Sequence, residues 1–436
     1  MEETTMNQNT LGAAVPPVRT PLNAQQIRGF WAAWFGWTLD GMDSIIYALV
    51  LVPALTELLP RSGITPTPAH VGLAGSILFA LFLVGWGLSF IWGPIADRFG
   101  RTRVLAATIF GYALFTGLAA LSQNVWELAL FRLLAGIGIG GEWALAGTFV
   151  AESWPEDRRK MGAGYLQTGY YAGFFIAAAL NFTVGARFGW RAMFLCGLFP
   201  VVVSIYTMLK VGEPDKWQHA GKPTRRSPLS EIFNARYRRR TLVNATLLTV
   251  AIIGLWAGAV YEPAAIIQLA LKQGMSHLQA VHMASIGTGI LSIGTILGCL
   301  ALPPLAERFG RKSTLSLYFL GMAVCIVLSF GWAFYVPDGL SVFIATLFFL
   351  GFFGGNFAMF SLWLPEQYET RVRATAFAFN TSIGRFLGAV VNFILAAAVS
   401  HMGTLGTPVA WTAVVFVAGL LVIPFALETR GEVLPS

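Results

Sequence analysis

Five ionisable side chains stand where the chain is otherwise apolar: Asp40, Asp43, Arg132, Glu142 and Arg385. Asp40 and Asp43 belong to Trp37-Thr38-Leu39-Asp40-Gly41-Met42-Asp43-Ser44, inside an apolar run from about Phe30 to Leu55. At about 1.5 Å per residue such a run crosses a roughly 30 Å hydrocarbon core. An ionised carboxylate at the centre of a bilayer costs about 2.5–3.5 kcal/mol on insertion scales, so acids placed there tend to face a cavity and act. Counted from Arg28, Asp43 lies about 22 Å up its helix, and Arg132, in a run travelling the other way, lies about 12 Å below the opposite surface. These heights are compatible. A buried aspartate and arginine at one level favour each other's charged forms, and protonating the acid would release the base, which is the outline of a proton-coupled switch. Glu142, further along the same run as Arg132, reads either as a proton site or as a gate residue.

Arg385 lies about 18 Å into a later apolar run, within Asn380-Thr381-Ser382-Ile383-Gly384-Arg385-Phe386-Leu387-Gly388, and no acid occupies the same or adjacent turns. A guanidinium grips a carboxylate through a bidentate fork, so an organic anion is one candidate partner. Helix carbonyls or an acid on another helix are the others. Polar and aromatic side chains that could line a cavity with it are Tyr47, Gln167, Tyr170, Asn356, Trp363 and Asn380.

The elements that must position these groups follow from composition. With 56% hydrophobic and 11% charged residues, the chain is too apolar for a soluble globular protein, in which about a quarter of residues are charged. Apolar runs near 30–55, 70–92, 104–122, 125–152, 161–184, 190–210, 242–262, 280–303, 314–334, 340–364, 373–399 and 408–427 predict about twelve membrane helices. The expected fold is an all-α membrane protein with two pseudo-symmetric six-helix bundles, over 27–210 and 241–428. A basic linker, 211–240, separates them, and a disordered tail, 1–26, and a short tail, 429–436, flank them. The net charge of +8 resides mainly in the loops of one face, which reads as membrane topology with both termini cytosolic and not as a nucleic-acid footprint. Cys196, Cys299 and Cys325 fall singly in separate runs, which argues against a disulfide framework and a metal cluster.

An internal repeat supports the two bundles. Gly93-Pro94-Ile95-Ala96-Asp97-Arg98-Phe99-Gly100-Arg101 returns 210 positions later as Pro303-Pro304-Leu305-Ala306-Glu307-Arg308-Phe309-Gly310-Arg311, and Pro155-Glu156 returns as Pro365-Glu366 at the same offset. The first copy resembles the loop signature of the major facilitator superfamily, and the second resembles its degenerate partner. An acid followed by clustered arginines at helix ends can form ion pairs that hold a gate shut, which nominates Asp97, Arg98, Arg101, Glu307, Arg308 and Arg311. Asp40-Gly41-Met42-Asp43, Arg132 to Trp143, Glu152-Ser153-Trp154-Pro155 and Gly189-Trp190-Arg191-Ala192 resemble the sialate:proton symporter family, which includes lactate-type carriers. The Asp-Gly-x-Asp element is shared with aromatic acid:proton symporters, and an arginine at position 385 is also similar to that group. In related proton-coupled sugar carriers a first-helix aspartate pairs with a fourth-helix arginine, which implies Asp43 with Arg132. Asp40 is then a second carboxylate, substrate-facing or a proton relay.

The expected function is proton-coupled uptake of an organic acid, a mono-carboxylate, by alternating access, in a bacterial inner membrane and as a monomer, with no cofactor and no enzymatic activity. Organic anion exchange is the alternative mode, and a non-transporting sensor on the same fold is the alternative class. Efflux antiporters of the superfamily usually carry Gly-Pro in the fifth helix, whereas this helix reads Gly162-Ala163-Gly164-Tyr165-Leu166-Gln167-Thr168-Gly169 without it. Gly136-x-Gly138-x-x-Gly141 matches a dinucleotide-binding pattern but lies in a membrane run with no strand before it, so close helix packing accounts for it.

Overall fold

The computed structural model describes residues 20–219 and 228–435. The expected disordered tail and the linker residues Lys222, Arg225 and Arg226 lie largely or wholly outside them. The described residues are helical with no strand, and twelve helices are long enough to span. The first six are α1 (Ala24–Arg61), α2 (Pro68–Leu88, continued by Trp92–Phe99), α3 (Arg101–Ala119), α4 (Val125–Ser153), α5 (Glu156–Leu180) and α6 (Ala186–Cys196, continued by Pro200–Lys210). The second six are α7 (Arg238–Lys272), α8 (His277–Phe309), α9 (Arg311–Ile326), α10 (Leu340–Gly354, continued by Phe357–Trp363), α11 (Arg373–Met402) and α12 (Gly406–Trp411, continued by Ala413–Val422). Eleven of the spans are strongly apolar along a whole membrane width. The exception is α5, whose Glu156–Lys160 start and Gln167, Thr168, Tyr170 and Tyr171 make it polar.

Local chemistry sets the ends. Asn23 and Ser276 form capping boxes with Gln26 and Gln279 at the starts of α1 and α8, and Asn124 accepts from the Glu127 amide at the start of α4. Both repeat loops turn on a glycine in the left-handed half of backbone space, Gly100 (φ 117°) and Gly310 (φ 89°), which a side chain would strain. The two loops thus break α2 from α3 and α8 from α9 in the same way. Four expected continuous spans are interrupted: α2 at residues 89–91, α6 at residues 197–199, α12 at Thr412, and α10 at Gly355-Asn356, where paired glycines remove the helix's own side-chain support.

The halves meet chiefly where α5 packs on α8 and α2 on α11. Within the first half, α1 and α5 approach until a Cβ on Gly173 would stand 1.9 Å from the Thr38 carbonyl oxygen and one on Gly41 2.0 Å from that of Tyr170. That seam brings Asp40 and Asp43 inward, beside α4 and α5. Both ends of the described residues lie at one face, where Thr20 donates to Asp157 and Arg159 donates to the Glu432 carbonyl; the other is called the far face below.

Candidate functional site

All five intramembrane charges are buried, at 2% exposure or less. Arg132 Nη1 lies 3.4 Å from Asp43 Oδ1, and the aromatic rings of Tyr47 and Phe82 stand 4.8 and 4.3 Å from its guanidinium carbon. This pair is long and incompletely satisfied: Arg132 Nε and Nη2 and Asp43 Oδ2 have no hydrogen-bond partner. A second acid cluster lies towards the termini face. Asp40 is within electrostatic reach of Glu142 and Arg385, and neither oxygen of Asp40 or of Glu142 has a hydrogen-bond partner. The Glu142 carboxyl abuts bare backbone, since a Cβ on Gly36 would fall 1.9 Å from its Oε1. Tyr112 lies beside it, but its hydroxyl donates to the Gly36 carbonyl at 3.2 Å. Two neighbouring carboxylates in an apolar setting cannot both ionise without large cost.

Between the halves is a cavity with about 250 Å³ of empty space, counted out to its open side. It is lined by Trp37, Trp86, Trp143, Gln167, Tyr170 and Tyr171 from the first half and Leu255, Trp256, Phe357 and Arg385 from the second. The guanidinium carbon of Arg385 stands 3.9 Å from the Trp86 ring and 5.5 Å from that of Trp143, and Nη1 donates to the Thr381 carbonyl. It forms no ion pair among the described residues. Four lining residues carry a buried hydrogen-bonding atom without a partner: Arg385 Nε, Trp37 Nε1, Trp86 Nε1 and Tyr170 Oη. Three are donors only. Trp37 and Trp143 stack at 5.9 Å, with planes 11° apart. Below, Trp143 Nε1 donates to Ser361 (2.9 Å), and Ser361 contacts Gln167 at 3.4 Å, tying the halves together.

Of the substrate-facing candidates, Gln167, Tyr170 and Arg385 line this cavity and four others do not. Tyr47 donates to the Gly75 carbonyl while shielding Arg132. Asn356 lies at the break in α10 and donates to the Phe353 carbonyl. Trp363 donates to the Leu427 carbonyl at the termini face. Asn380 is taken up by the Ala376 carbonyl and the Tyr368 hydroxyl.

The termini face is closed by buried ion pairs. Arg101 meets Asp97 at 2.5 Å and Glu152 at 3.3 Å, and donates to the Thr370 carbonyl across the halves at 2.9 Å. In the second half Arg311 meets Glu366 at 2.9 Å and Glu307 at 2.7 Å. The halves are cross-braced: Arg373 reaches Glu152 (2.8 Å) and Arg159 reaches Glu366 (3.1 Å). Lys160 adds a contact to Glu307 at 2.9 Å. Asp97 also accepts from the Thr375 amide at 3.0 Å, at the start of α11. Arg98 and Arg308 instead point outward over Phe99 and Phe309. One correction concerns the repeat. The spatial counterpart of Glu366 is Glu152 and not Glu156, because Glu152-x6-Arg159 and Glu366-x6-Arg373 share a spacing. Pro155 starts α5 whereas Pro365 opens a 3₁₀ turn after α10, which shifts the register by one helical turn. That repeated Glu-x6-Arg spacing was the signal by which Glu152, Arg159, Glu366 and Arg373 could have been found.

Two half-bundles around a central cavity, with matching loops after the second helix of each, are an arrangement that comparison with known proteins can test. The profile of the Major Facilitator Superfamily matches residues 31–301. The chain belongs to the major facilitator superfamily. A second profile, "Sugar (and other) transporter", matches residues 234–435. The chain is 29% identical to a probable 4-methylmuconolactone transporter of Cupriavidus pinatubonensis, over 93% of this chain and 92% of that one. It is 26% identical to the 4-hydroxybenzoate transporter PcaK of Pseudomonas aeruginosa over 95% and 93%, and 31% identical to the sialic acid transporter NanX of Escherichia coli over 45% and 46%. Both resemblances read in the sequence, to sialate and to aromatic acid carriers, thus have counterparts. The proton:xylose symporter XylE superimposes with a TM-score of 0.77 at 18% identity, covering 94% of this chain and 98% of that one, which shows the shared fold. As a member of this superfamily the protein is a secondary transporter and an integral membrane protein, not an enzyme.

Proposed function

We propose that this transporter takes up an organic mono-carboxylate carrying a planar unsaturated ring, together with a proton, across a bacterial inner membrane with both termini cytosolic and as a monomer. The observation that carries the reading is the set of unpartnered donors lining one cavity: a buried arginine with no ion pair, two indole N–H groups and a tyrosine hydroxyl. Buried polar groups are nearly always hydrogen-bonded, and a buried charge without a counter-ion is costly, so the set fits an anionic cargo that satisfies it. The ring preference rests on the walls. Trp37, Trp86, Trp143, Trp256 and Phe357 make the lining largely aromatic, which suits contact with a flat ring. A relative named for 4-hydroxybenzoate transport fits that shape.

Coupling follows from charge. A carboxylate docking on Arg385 brings a negative charge beside Asp40 and Glu142, whose own ionisation it opposes, so anion and proton binding reinforce each other. Protonation of Asp43 weakens its hold on Arg132 and frees α1 to move against α4. The ion-paired termini face is the cytosolic gate of this reading, closed in this structure, and its lysines and arginines agree with cytosolic loops. The test is uptake into proteoliposomes. A pH gradient, acid on the far side, should drive accumulation of benzoate-like acids that collapses with a protonophore; uptake indifferent to both would exclude proton coupling. A thermal-shift screen of cyclic and acyclic carboxylates would test the cargo separately.

A further inference from the structure

A buried acid outside the sites above lies in the second half. Glu262, on α7 about 36 Å along the helix from Arg238 and so towards the far face, is 1% exposed. Its one hydrogen-bond partner among the described residues is Thr288 of α8, whose hydroxyl stands 3.4 and 3.1 Å from the two carboxyl oxygens. A single hydroxyl hydrogen serves one of those oxygens at a time. No cation pairs with Glu262 among the described residues. The carboxyl is pressed against α8, since a Cβ on Gly287 would lie 2.9 Å from Glu262 Oε1 and within 2.2 and 3.2 Å of Ile266 and Leu347 methyls. An ionised carboxylate held by one hydroxyl in such a wall is poorly satisfied, whereas a neutral acid fits.

The residue that follows is Pro263, inside α7. Proline removes one backbone hydrogen bond and weakens the helix at that turn. Two turns back, Leu255 and Trp256 line the central cavity. The far face is closed across the halves by aromatic contacts, Phe79 with Trp256 (centroids 5.3 Å) and Phe182 with His282 (4.8 Å), with no ion pair between the halves there among the described residues. Its closure therefore lacks the charge brace of the other end.

We propose that Glu262 is a second proton-binding site, whose protonation lets α7 close on α8 at the far face and whose ionisation, needing water, opens it at Pro263. It rests on the alternating-access reading above but not on the coupling role of Asp40, Asp43 or Glu142. The elements packed on α7 supply the rival groups. On α8 these are His277, His282, Cys299, Glu307 and Arg308; on α11, Arg373, Arg385 and His401; on α9, Arg311, Lys312, Tyr318 and Cys325. The α7 helix itself adds Arg238, Arg239, Arg240, Tyr261 and Lys272, and α10 and α12 carry none. His282, about 9 Å along α8 from Thr288, is the nearest rival by position.

The experiment is a distance measurement by double electron–electron resonance. Spin labels go on Thr65→Cys and Gln273→Cys, exposed far-face positions of the two halves, with the three native cysteines replaced by serine. The full-length carrier should show a longer label separation in alkaline than in acidic buffer. Glu262→Gln should lose that shift and keep the acid-state distance at every pH. Thr288→Val, which leaves the acid in place without its donor, should move the midpoint to higher pH. His282→Gln should keep the wild-type shift. Size-exclusion profiles and substrate-induced thermal stabilisation certify folding of each variant. A Glu262→Gln carrier that retains the full shift, or a His282→Gln carrier that loses it, overturns the proposal. Asp43→Asn separates the two readings: it should lose proton-driven accumulation yet keep the distance change.

Discussion

The ion-paired termini face and the central cavity bury the same kinds of side chain to the same depth and treat them oppositely. At the gate Arg101, Arg311 and Arg373 and the acids Glu152 and Glu366 are nearly or fully buried, and each meets at least two partners. At the cavity and beside it Arg385, Asp40 and Glu142 are equally buried and carry atoms with no partner. A satisfied charge network holds one arrangement in place, because opening it strands several buried ions at once. An unsatisfied one is costly as it stands, and in the proposed function it is relieved by what arrives, a carboxylate at Arg385 and a proton at the acids. The difference separates residues that keep the conformation from residues that consume the ligand.

That contrast can be broken or sharpened by substitution. The largest effect is expected at Asp43. Asp43→Asn should abolish uphill accumulation while leaving substrate exchange, measured by counterflow in liposomes; undiminished accumulation would remove it from coupling. Next, Arg385→Ala should weaken substrate binding by about 2–5 kcal/mol, some thirty-fold or more, as calorimetry or thermal shift would read. Normal binding in that variant would show that its orphaned Nε serves packing alone. Third, Glu366→Ala should destabilise the closed gate by about 3–5 kcal/mol, because Arg159 and Arg311 lose a shared partner. The readout is increased labelling, from the cytosolic side, of a cysteine introduced at the gate, together with a lower melting temperature, and unchanged labelling would mean the brace does not hold the gate. Asp40→Asn should flatten the pH dependence of uptake on its acid side, since one of the two facing carboxylates no longer takes a proton; an unaltered profile would assign the proton to Glu142 or Asp43. The smallest effect belongs to Arg98→Ala. Exposed and unpaired, it should change uptake less than two-fold, within the about 0.5 kcal/mol usual for surface positions.

Legibility in the sequence followed the range of the interaction. Asp43 and Arg132 could be matched because helix rise converts residue number to depth, and depth is all that pairing across two long helices demands. Asp97, Arg101, Glu307 and Arg311 were marked by a repeated loop. Their partners Glu152, Glu366, Arg159 and Arg373 escaped because each ion pair joins helices distant in sequence, two of them (Arg373–Glu152 and Arg159–Glu366) across the halves, and the 210-residue offset pointed to Glu156, one turn away from the acid that is used. Tyr47, Asn356, Trp363 and Asn380 were chosen as polar or aromatic residues at suitable depth, but depth does not fix which way a helix face turns. The tryptophans that surround Arg385 were likewise invisible, since an apolar run that is buried all round carries no periodic signal for the cavity side.

By itself the sequence determined the number and approximate placement of the spans, their division into two bundles and the expense of five charges in lipid. Those follow from hydropathy and helix rise, which are local. Only the tertiary structure decided which charges are answered and which are left open, because that depends on rotation about each helix axis and on how the bundles meet. The same rotation places Glu262 against Thr288 and leaves Arg385 facing an aromatic cavity instead of an acid.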